Sequence, residues 1–203
     1  MVLPRAVLFD FGGVLLTTVD ETARQRWAER LQLDLDAMEA RIFESELMAR
    51  AMIGELSVAE MWRGVGEILG LDDEAVQSLQ TDFFRGDRLN EELVDFARSL
   101  APHYQLAILS NAWDNAREVF TEIFGLDEVF DTMIISAEVG LAKPDPRIYR
   151  LALERLDVQP GEAVFLDDMR ENVAAARDVG LRAVHYRHNR QAIAEVQAQL
   201  GLA

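Results

Sequence analysis

The chain has 203 residues, and its 20 Lys and Arg against 36 Asp and Glu give a formal net charge of −16. This acidity argues against partners that need a basic face, namely nucleic acid and anionic membrane surfaces. The sequence has no cysteine, which excludes disulfides, zinc–thiolate sites and thiol catalysis, and no apolar stretch reaches the roughly 18 residues of a membrane span, so we expect a cytoplasmic protein.

Short apolar runs alternate with helical patterns along the chain, which predicts a βα repeat and a parallel sheet. Because the runs show no polar alternation, we expect strands that are buried on both faces. The predicted strands cover residues 6–9, 106–109, 133–135, 163–166 and 183–186.

The segment 18–88 interrupts this repeat. It carries helical periodicity without a strand run, and Thr18-x-x-Glu21 and Ser57-x-x-Glu60 both fit the capping-box pattern. We therefore predict a helical insertion after the first strand. Its methionines, which recur at helical spacing, are expected to fill the core of that insertion.

Two aspartates are expected to begin helices in the remainder of the chain. Asp114 precedes an apolar helical pattern, and Asp145 is followed by Pro146, a residue favoured in the first turn of a helix.

Polar residues follow four of the five predicted strands. In an open parallel sheet the carboxyl ends of the strands line one crevice, so residues far apart in sequence are expected to converge there. Carboxylates brought together in this way repel one another, and Mg²⁺ with oxygen ligands would relieve that repulsion. Each residue taken alone also fits an ordinary turn or cap; their occurrence in order, each near a strand end, favours a site. The residues are Asp10, Ser110, Asn111, Lys143, Asp167 and Asp168.

Four segments closely resemble the motifs of the haloacid dehalogenase-like (HAD) hydrolases. They are Phe9-Asp10-Phe11-Gly12-Gly13-Val14-Leu15, Leu109-Ser110-Asn111, Lys143-Pro144-Asp145-Pro146 and Phe165-Leu166-Asp167-Asp168. The resemblance implies an α/β fold, a doubly wound, Rossmann-like core with a parallel sheet. It further implies a core domain of residues 1–17 and 89–203 and a helical cap domain of residues 18–88.

The resemblance also implies roles for these residues. Asp10 would be the nucleophile, forming a covalent aspartyl intermediate that water hydrolyses. Ser110 and the backbone of Asn111 would hold the phosphoryl oxygens, and Lys143 would bind both the phosphate and Asp10.

A magnesium site is implied at the same place. Asp10, Asp168 and the backbone carbonyl of Gly12 would ligate Mg²⁺, and Asp167 would support the site from beside it.

Position 12 departs from the family's phosphatase pattern. Phosphatases of the family usually carry an aspartate there, which protonates the leaving oxygen, whereas this chain has Gly12. General acid–base help is worth roughly 10²–10⁴-fold, so ordinary alkoxides should leave slowly. An aspartate at this position would add a fourth carboxylate to the site and so increase the electrostatic repulsion there. If Gly12 has a positive φ, the aspartate would also strain the backbone.

The leading hypothesis is a Mg²⁺-dependent phosphatase of a small phosphorylated metabolite, with sugar phosphates as one candidate class. The alternatives are a 2-haloacid dehalogenase that uses the same Asp10, and a binding or regulatory protein that has lost turnover. The sequence does not fix the oligomeric state.

Residues of the insertion would set specificity, with Trp27, Arg41, Trp62 and Arg63 as candidates. His185 is expected to lie away from every motif, in a surface or packing role.

Overall fold

The computed structural model describes residues 2–202, and a five-stranded parallel sheet lies at its centre. The strands are β1 (Ala6–Phe9), β2 (Leu16–Thr18), β3 (Asp87–Leu89), β4 (Gln105–Ser110), β5 (Thr132–Ile135), β6 (Ala163–Asp167) and β7 (Arg182–His185). The order in the central sheet is β5-β4-β1-β6-β7. All five predicted sheet strands are present; the last one is shifted by one residue and has only its two central residues buried, whereas β1 and β6 are buried throughout.

Helices cover both faces of this sheet, which gives the doubly wound α/β architecture predicted from the sequence. The α-helices are α1 (Thr22–Arg30), α2 (Leu35–Phe43), α3 (Glu46–Met52), α4 (Val58–Leu69), α5 (Asp73–Phe83), α6 (Glu91–Leu100), α7 (Ala116–Glu118), α8 (Ser136–Val139), α9 (Pro146–Leu156), α10 (Arg170–Val179) and α11 (Asn189–Leu200). No helix among residues 2–202 has the length and apolar character to cross a membrane.

Two hydrophobic clusters hold the sheet between its helix layers. On one face Leu93 of α6 and Val196 of α11 pack with Val7 and Phe9 of β1. On the other face Ile148 and Tyr149 of α9 pack with Leu8 of β1. Alternate residues of β1 thus enter opposite cores, since successive strand side chains point to opposite faces.

Helices α1–α5 form the predicted insertion and pack around a third cluster of their own. Met38, Met48 and Met61 lie buried in it, which confirms the expected role for these three, whereas Met52 is partly buried and lines a cavity. Trp62 and Phe83 complete its aromatic part.

A short antiparallel hairpin joins the insertion to the sheet. β2 pairs with β3, with Leu16 opposite Leu89 and Thr18 opposite Asp87. The expectation that the segment 18–88 has no strand is therefore wrong at its two ends. These strands have three residues each, only one of them apolar, and they are partly exposed, so they produce no apolar run.

The capping predictions separate into two groups. The capping box at Ser57 and Glu60 is present at the start of α4, and Asp145 caps α9 with Pro146 in the first turn. The box at Thr18 is absent, because Thr18 lies in β2 and its hydroxyl donates to Asp87 Oδ1 at 2.7 Å. Asp114 does not cap α7; its Oδ1 accepts from the backbone N–H of Val58, at the start of α4, at 3.0 Å.

Candidate active site

The register of the central sheet brings the predicted site residues together. Phe9 pairs with Ile108 of β4 on one side and with Leu166 of β6 on the other. Asp10, Ser110 and Asp167 therefore lie at or directly after the carboxyl ends of three adjacent strands.

A buried lysine links two of the carboxylates. Lys143 Nζ lies 2.8 Å from Asp10 Oδ1 and 2.7 Å from Asp167 Oδ2, and only 4% of Lys143 is exposed. Asp10 Oδ1 also accepts from the backbone N–H of Phe11 at 2.7 Å. Since charges this far from water interact strongly, the three groups hold one another in a fixed arrangement.

Asp167 is fully buried and has its oxygens occupied by protein donors. Oδ1 accepts from the backbone N–H of Met169 at 2.8 Å, and the amide of Asn172 donates to both oxygens at 3.0 and 3.1 Å. With Oδ2 bound to Lys143 as well, this carboxylate fixes the ammonium group in place.

Asp168 lies against the glycines that follow β1. A Cβ added to Gly13 would fall 2.3 Å from Asp168 Oδ2, and Gly13 has a φ of +75°, so both space and backbone conformation require glycine there. His185 Nε2 lies 2.9 Å from the backbone oxygen of Asp168. The expectation that His185 lies away from every motif is therefore wrong: the parallel pairing of β6 with β7 places it beside the last motif.

Asp10, Asp167 and Asp168 each offer a carboxylate oxygen, and these oxygens lie within 4.8 Å of one another. Burial raises the pKa of Asp10 to about 7, against the opposing effect of Lys143, and burial with the nearby Asp167 raises the pKa of Asp168. A divalent cation would favour the charged form of these carboxylates and so offset the effects of burial and of their mutual repulsion. An all-oxygen donor set of this size fits Mg²⁺.

The loop after β4 is tied to the lysine loop. Asn111 Nδ2 donates to the carbonyl of Lys143, and the N–H of Lys143 donates to Asn111 Oδ1, both at 2.8 Å. The hydroxyl of Ser136 donates to the carbonyl of Ala112 and accepts from its N–H. The side chain of Asn111 thus positions Lys143. The backbone of Asn111 takes no part in this contact and is left for any role in anion binding.

Sequence reasoning missed the supporting residues Ser136, Asn172 and His185. Only Asn172 carried a usable signal, because it lies in the first turn of the helix that follows Asp167 and Asp168. Ser136 and His185 belong to other strands or helices and reach the site through tertiary pairing.

A cavity of about 480 Å³ lies between the sheet and the helical insertion. Gly12, Gly13, Ser110 and Asn111 line it next to the carboxylates. The rest of its wall is largely aromatic and aliphatic.

The predicted specificity residues do not face this cavity. Trp27 and Trp62 are buried in the core of the insertion, and neither Arg41 nor Arg63 is among the described residues that line the cavity. Arg24 does line it, but its guanidinium donates to Asp87 Oδ1, Glu39 Oε1 and the carbonyl of Phe83.

Gly12 is the position at which this site lacks a side chain. A Cβ placed there meets no atom of the described chain within 4 Å, and positive φ occurs at Gly13 rather than at Gly12. The strain considered from the sequence is therefore absent.

Comparison with known proteins identifies the family of the chain. A family model described as haloacid dehalogenase-like hydrolase matches residues 4–180. Over 98% of its length the chain is 29% identical to bifunctional epoxide hydrolase 2 of Sus scrofa, of which it spans only 39%. It is 25% identical to D-ribitol-5-phosphate phosphatase of Bacteroides thetaiotaomicron, covering 86% of this chain and 87% of that protein.

The fold also matches solved structures. The crystal structure of a HAD-family enzyme from Bacteroides thetaiotaomicron, in complex with magnesium and inorganic phosphate, superimposes with a TM-score of 0.76 and 20% identity, covering 91% of this chain and 94% of that one. Together with the family model over residues 4–180, these observations show that the chain belongs to the haloacid dehalogenase-like hydrolases.

Proposed function

We propose that the protein is a Mg²⁺-dependent phosphatase that hydrolyses a small phosphate monoester through an aspartyl-phosphate on Asp10. The observation that carries this proposal is the buried Lys143, bonded to Asp10 at 2.8 Å, with the carboxylate of Asp168 close to that of Asp10. A lysine and a cation at one carboxylate suit the binding of a phosphate dianion. Carbon–halogen chemistry needs no such concentration of positive charge.

In the proposed reaction an oxygen of Asp10 attacks phosphorus and the bond between phosphorus and the ester oxygen breaks. The departing alkoxide takes a proton from water. A second water then attacks the phosphorus of the aspartyl-phosphate, which releases inorganic phosphate and regenerates the Asp10 carboxylate.

The other residues bind and orient. Lys143 would bind the phosphate and keep Asp10 aimed at it, and Asp167 would keep Lys143 charged and in place. Ser110 and the backbone of Asn111 would hold phosphoryl oxygens. Mg²⁺, held by Asp10, Asp168 and the carbonyl of Gly12, would supply charge neutralisation for the phosphate.

We further propose that residues 18–88 act as a cap over the core formed by residues 1–17 and 89–203. Contacts between these two parts of the chain support this. A Cβ at Gly54 would fall 2.2 Å from the carbonyl oxygen of Ala137, and the indole N–H of Trp113 lies 3.1 Å from Met48 Sδ. A cap held this closely would exclude water from the site. The substrate would be a phosphorylated metabolite of the cytoplasm.

The test is phosphate release from p-nitrophenyl phosphate with Mg²⁺ and with excess EDTA, run beside chloride release from 2-chloropropionate. Phosphate release that EDTA abolishes and Mg²⁺ restores supports the proposal. Chloride release that persists in EDTA would instead identify a dehalogenase. Release of neither product would identify a protein without turnover.

A further inference from the structure

The walls of the cavity beside the carboxylates do not suit a sugar. We propose that the alcohol portion of the substrate is hydrophobic, an aliphatic chain or a comparable apolar group, and that the aromatic cavity binds it. This inference rests on the proposed phosphatase function and adds the substrate class.

The sheet side of the cavity is aromatic. Phe11 follows the nucleophile directly and packs on Phe120, with ring centroids 4.1 Å apart. Trp113, three residues after Ser110, lines the same space. Phe11 and Phe120 are themselves buried, with 7% and 2% exposure, so they back this part of the wall and Trp113 supplies its more accessible ring.

The insertion supplies a matching aromatic wall. Phe83 contacts both Phe43 and Phe84, with centroid distances of 5.4 and 5.3 Å, and Phe84 contacts Trp113 edge to face with centroids 5.8 Å apart, which joins the two walls. Phe43 remains 42% exposed and Phe84 38% exposed, although both line the cavity. Apolar surface left open in this way gains free energy when an apolar group covers it.

The charged side chains of the lining do not offer free charge to a ligand. Arg24 Nη2 lies 3.0 Å from Asp87 Oδ1, and the same oxygen accepts from the hydroxyl of Thr18. Ser110 is assigned to the phosphate; apart from it, the polar side chains of the lining that make no hydrogen bond among residues 2–202 are Thr17, Gln80 and Asn115. A polyol has a hydroxyl on nearly every carbon, so it would lose more hydrogen bonds to water than these three groups could replace.

The size of the cavity also fits. Its volume of about 480 Å³ lies within the range of roughly 300–1,000 Å³ typical of pockets that bury an organic ligand. A phosphate alone, or a two-carbon ester, would leave most of this apolar space filled with water.

The direct test compares hexyl phosphate with sorbitol 6-phosphate, which share six carbons and a primary phosphate ester and differ in hydroxyl groups. We expect the KM for hexyl phosphate to be lower by at least about tenfold; KM is the quantity compared because the two leaving alcohols differ in pKa and therefore in kcat. In the series of butyl-, hexyl- and octylphosphonate, the inhibition constant against acetyl phosphate should fall by about two- to fourfold per methylene. A preference for sorbitol 6-phosphate, or inhibition that is independent of chain length, would overturn the inference.

Variants locate the binding surface. Phe84→Gln and Phe43→Gln should each weaken octylphosphonate inhibition by about five- to twentyfold, because they replace an exposed ring of the cavity wall. Ile68→Gln is the matched control: Ile68 is an insertion residue with 45% exposure that does not line the cavity. An equal loss in the control would show that the effect is not local to the cavity.

The two proposals can fail separately. Hydrolysis of acetyl phosphate with Mg²⁺, together with a preference for sorbitol 6-phosphate, would leave the phosphatase standing and remove the hydrophobic substrate. If acetyl phosphate is not hydrolysed, octylphosphonate binding measured by tryptophan fluorescence still decides on the cavity, since Trp113 lines it. Binding that tightens with chain length would support the apolar site, and its absence would overturn it.

Discussion

The two ends of the cavity are built in opposite ways. Beside one end, polar residues from the ends of β1, β4 and β6 surround Lys143, which is paired with Asp10 and Asp167. At the other end, aromatic side chains from the sheet loops and from α2 and α5 line the wall, and two of them remain substantially exposed.

At the polar end the side chains bond to one another, apart from those that would meet a ligand. This bonding makes that end rigid and specific for one chemical group. The apolar end leaves surface uncovered and imposes little direction, which suits many related hydrophobic alcohols. If the two proposals hold, the strand ends set the chemistry, and the aromatic wall, which the insertion shares with the sheet loops, sets the substrate preference.

The largest effect is expected at the polar end. Asp10→Asn should lower phosphatase activity by at least about 10⁴-fold, because an amide of nearly the same shape is not a competent nucleophile. The measurement is single-turnover phosphate release with Mg²⁺. The control is Asp127→Asn, a change at an exposed aspartate between α7 and β5, which should keep wild-type activity. Retained activity in Asp10→Asn would remove Asp10 from the mechanism.

The same substitution should show how much the buried Asp10 carboxylate lowers the free energy of unfolding. The folded-state pKa of Asp10, about 7, lies above the value of 3.8 for a free side chain. Between these pH values the unfolded chain releases a proton that the folded chain keeps, so the stability contributed by this group falls as pH rises. In EDTA, Asp10→Asn should therefore gain stability relative to wild type as the pH rises from 4 to 8.

Urea unfolding at the two pH values measures this difference. Repeating the wild-type titration in excess Mg²⁺ is the control, since a cation that binds the deprotonated carboxylate should recover stability at pH 8. A difference between variant and wild type that does not change with pH would contradict the raised pKa.

Position 12 marks the boundary between the two ends. Gly12→Asp should accelerate esters with poor leaving groups by up to roughly 10²-fold and change activated aryl esters little, because it would restore a general acid. The open space around Gly12 and its ordinary φ remove the steric objection, and the added negative charge remains the main opposing effect.

A series of phosphate esters that spans leaving-group pKa, measured on both proteins, checks this expectation. Wild-type rates should fall steeply as the leaving-group pKa rises. A flat dependence in the wild type would mean that another group already supplies the proton.

The smallest effect is expected where the insertion meets the sheet. Asp114→Ala removes the acceptor for the N–H of Val58 and should lower kcat/KM for octyl phosphate by about two- to fivefold, since it loosens one contact that closes the cavity. Asp34→Ala is the matched control, because Asp34 accepts from the first turn of α2 within the insertion itself. It should lower the free energy of unfolding by about 1 kcal/mol without changing kcat/KM. Equal kinetic losses in both variants would show that only the stability of the insertion matters.

The predictability of each region follows from how locally it is encoded. The buried strands and the residues at their ends could be predicted because an apolar run and the polar residue after it are neighbours in sequence. β2 and β3 could not, because three residues of which only one is apolar form a strand only through their pairing across the insertion. Asp114 was misassigned for the same reason: a cap for its own helix and a contact to α4 look identical in sequence.

The sequence by itself determined the α/β core, the helical insertion and the group of polar residues that converge at the strand ends, since each depends on local pattern and on the general geometry of parallel sheets. Only the tertiary structure decided which side chains support that group and which ones line the cavity. Asn172 and His185 reach the aspartates through the packing of α10 and β7, and Phe43 and Phe84 face the cavity rather than Trp27 and Trp62 because the helices of the insertion bury one face among themselves. The orientation of a helix face is set by what the helix packs against, and that information lies outside its own sequence.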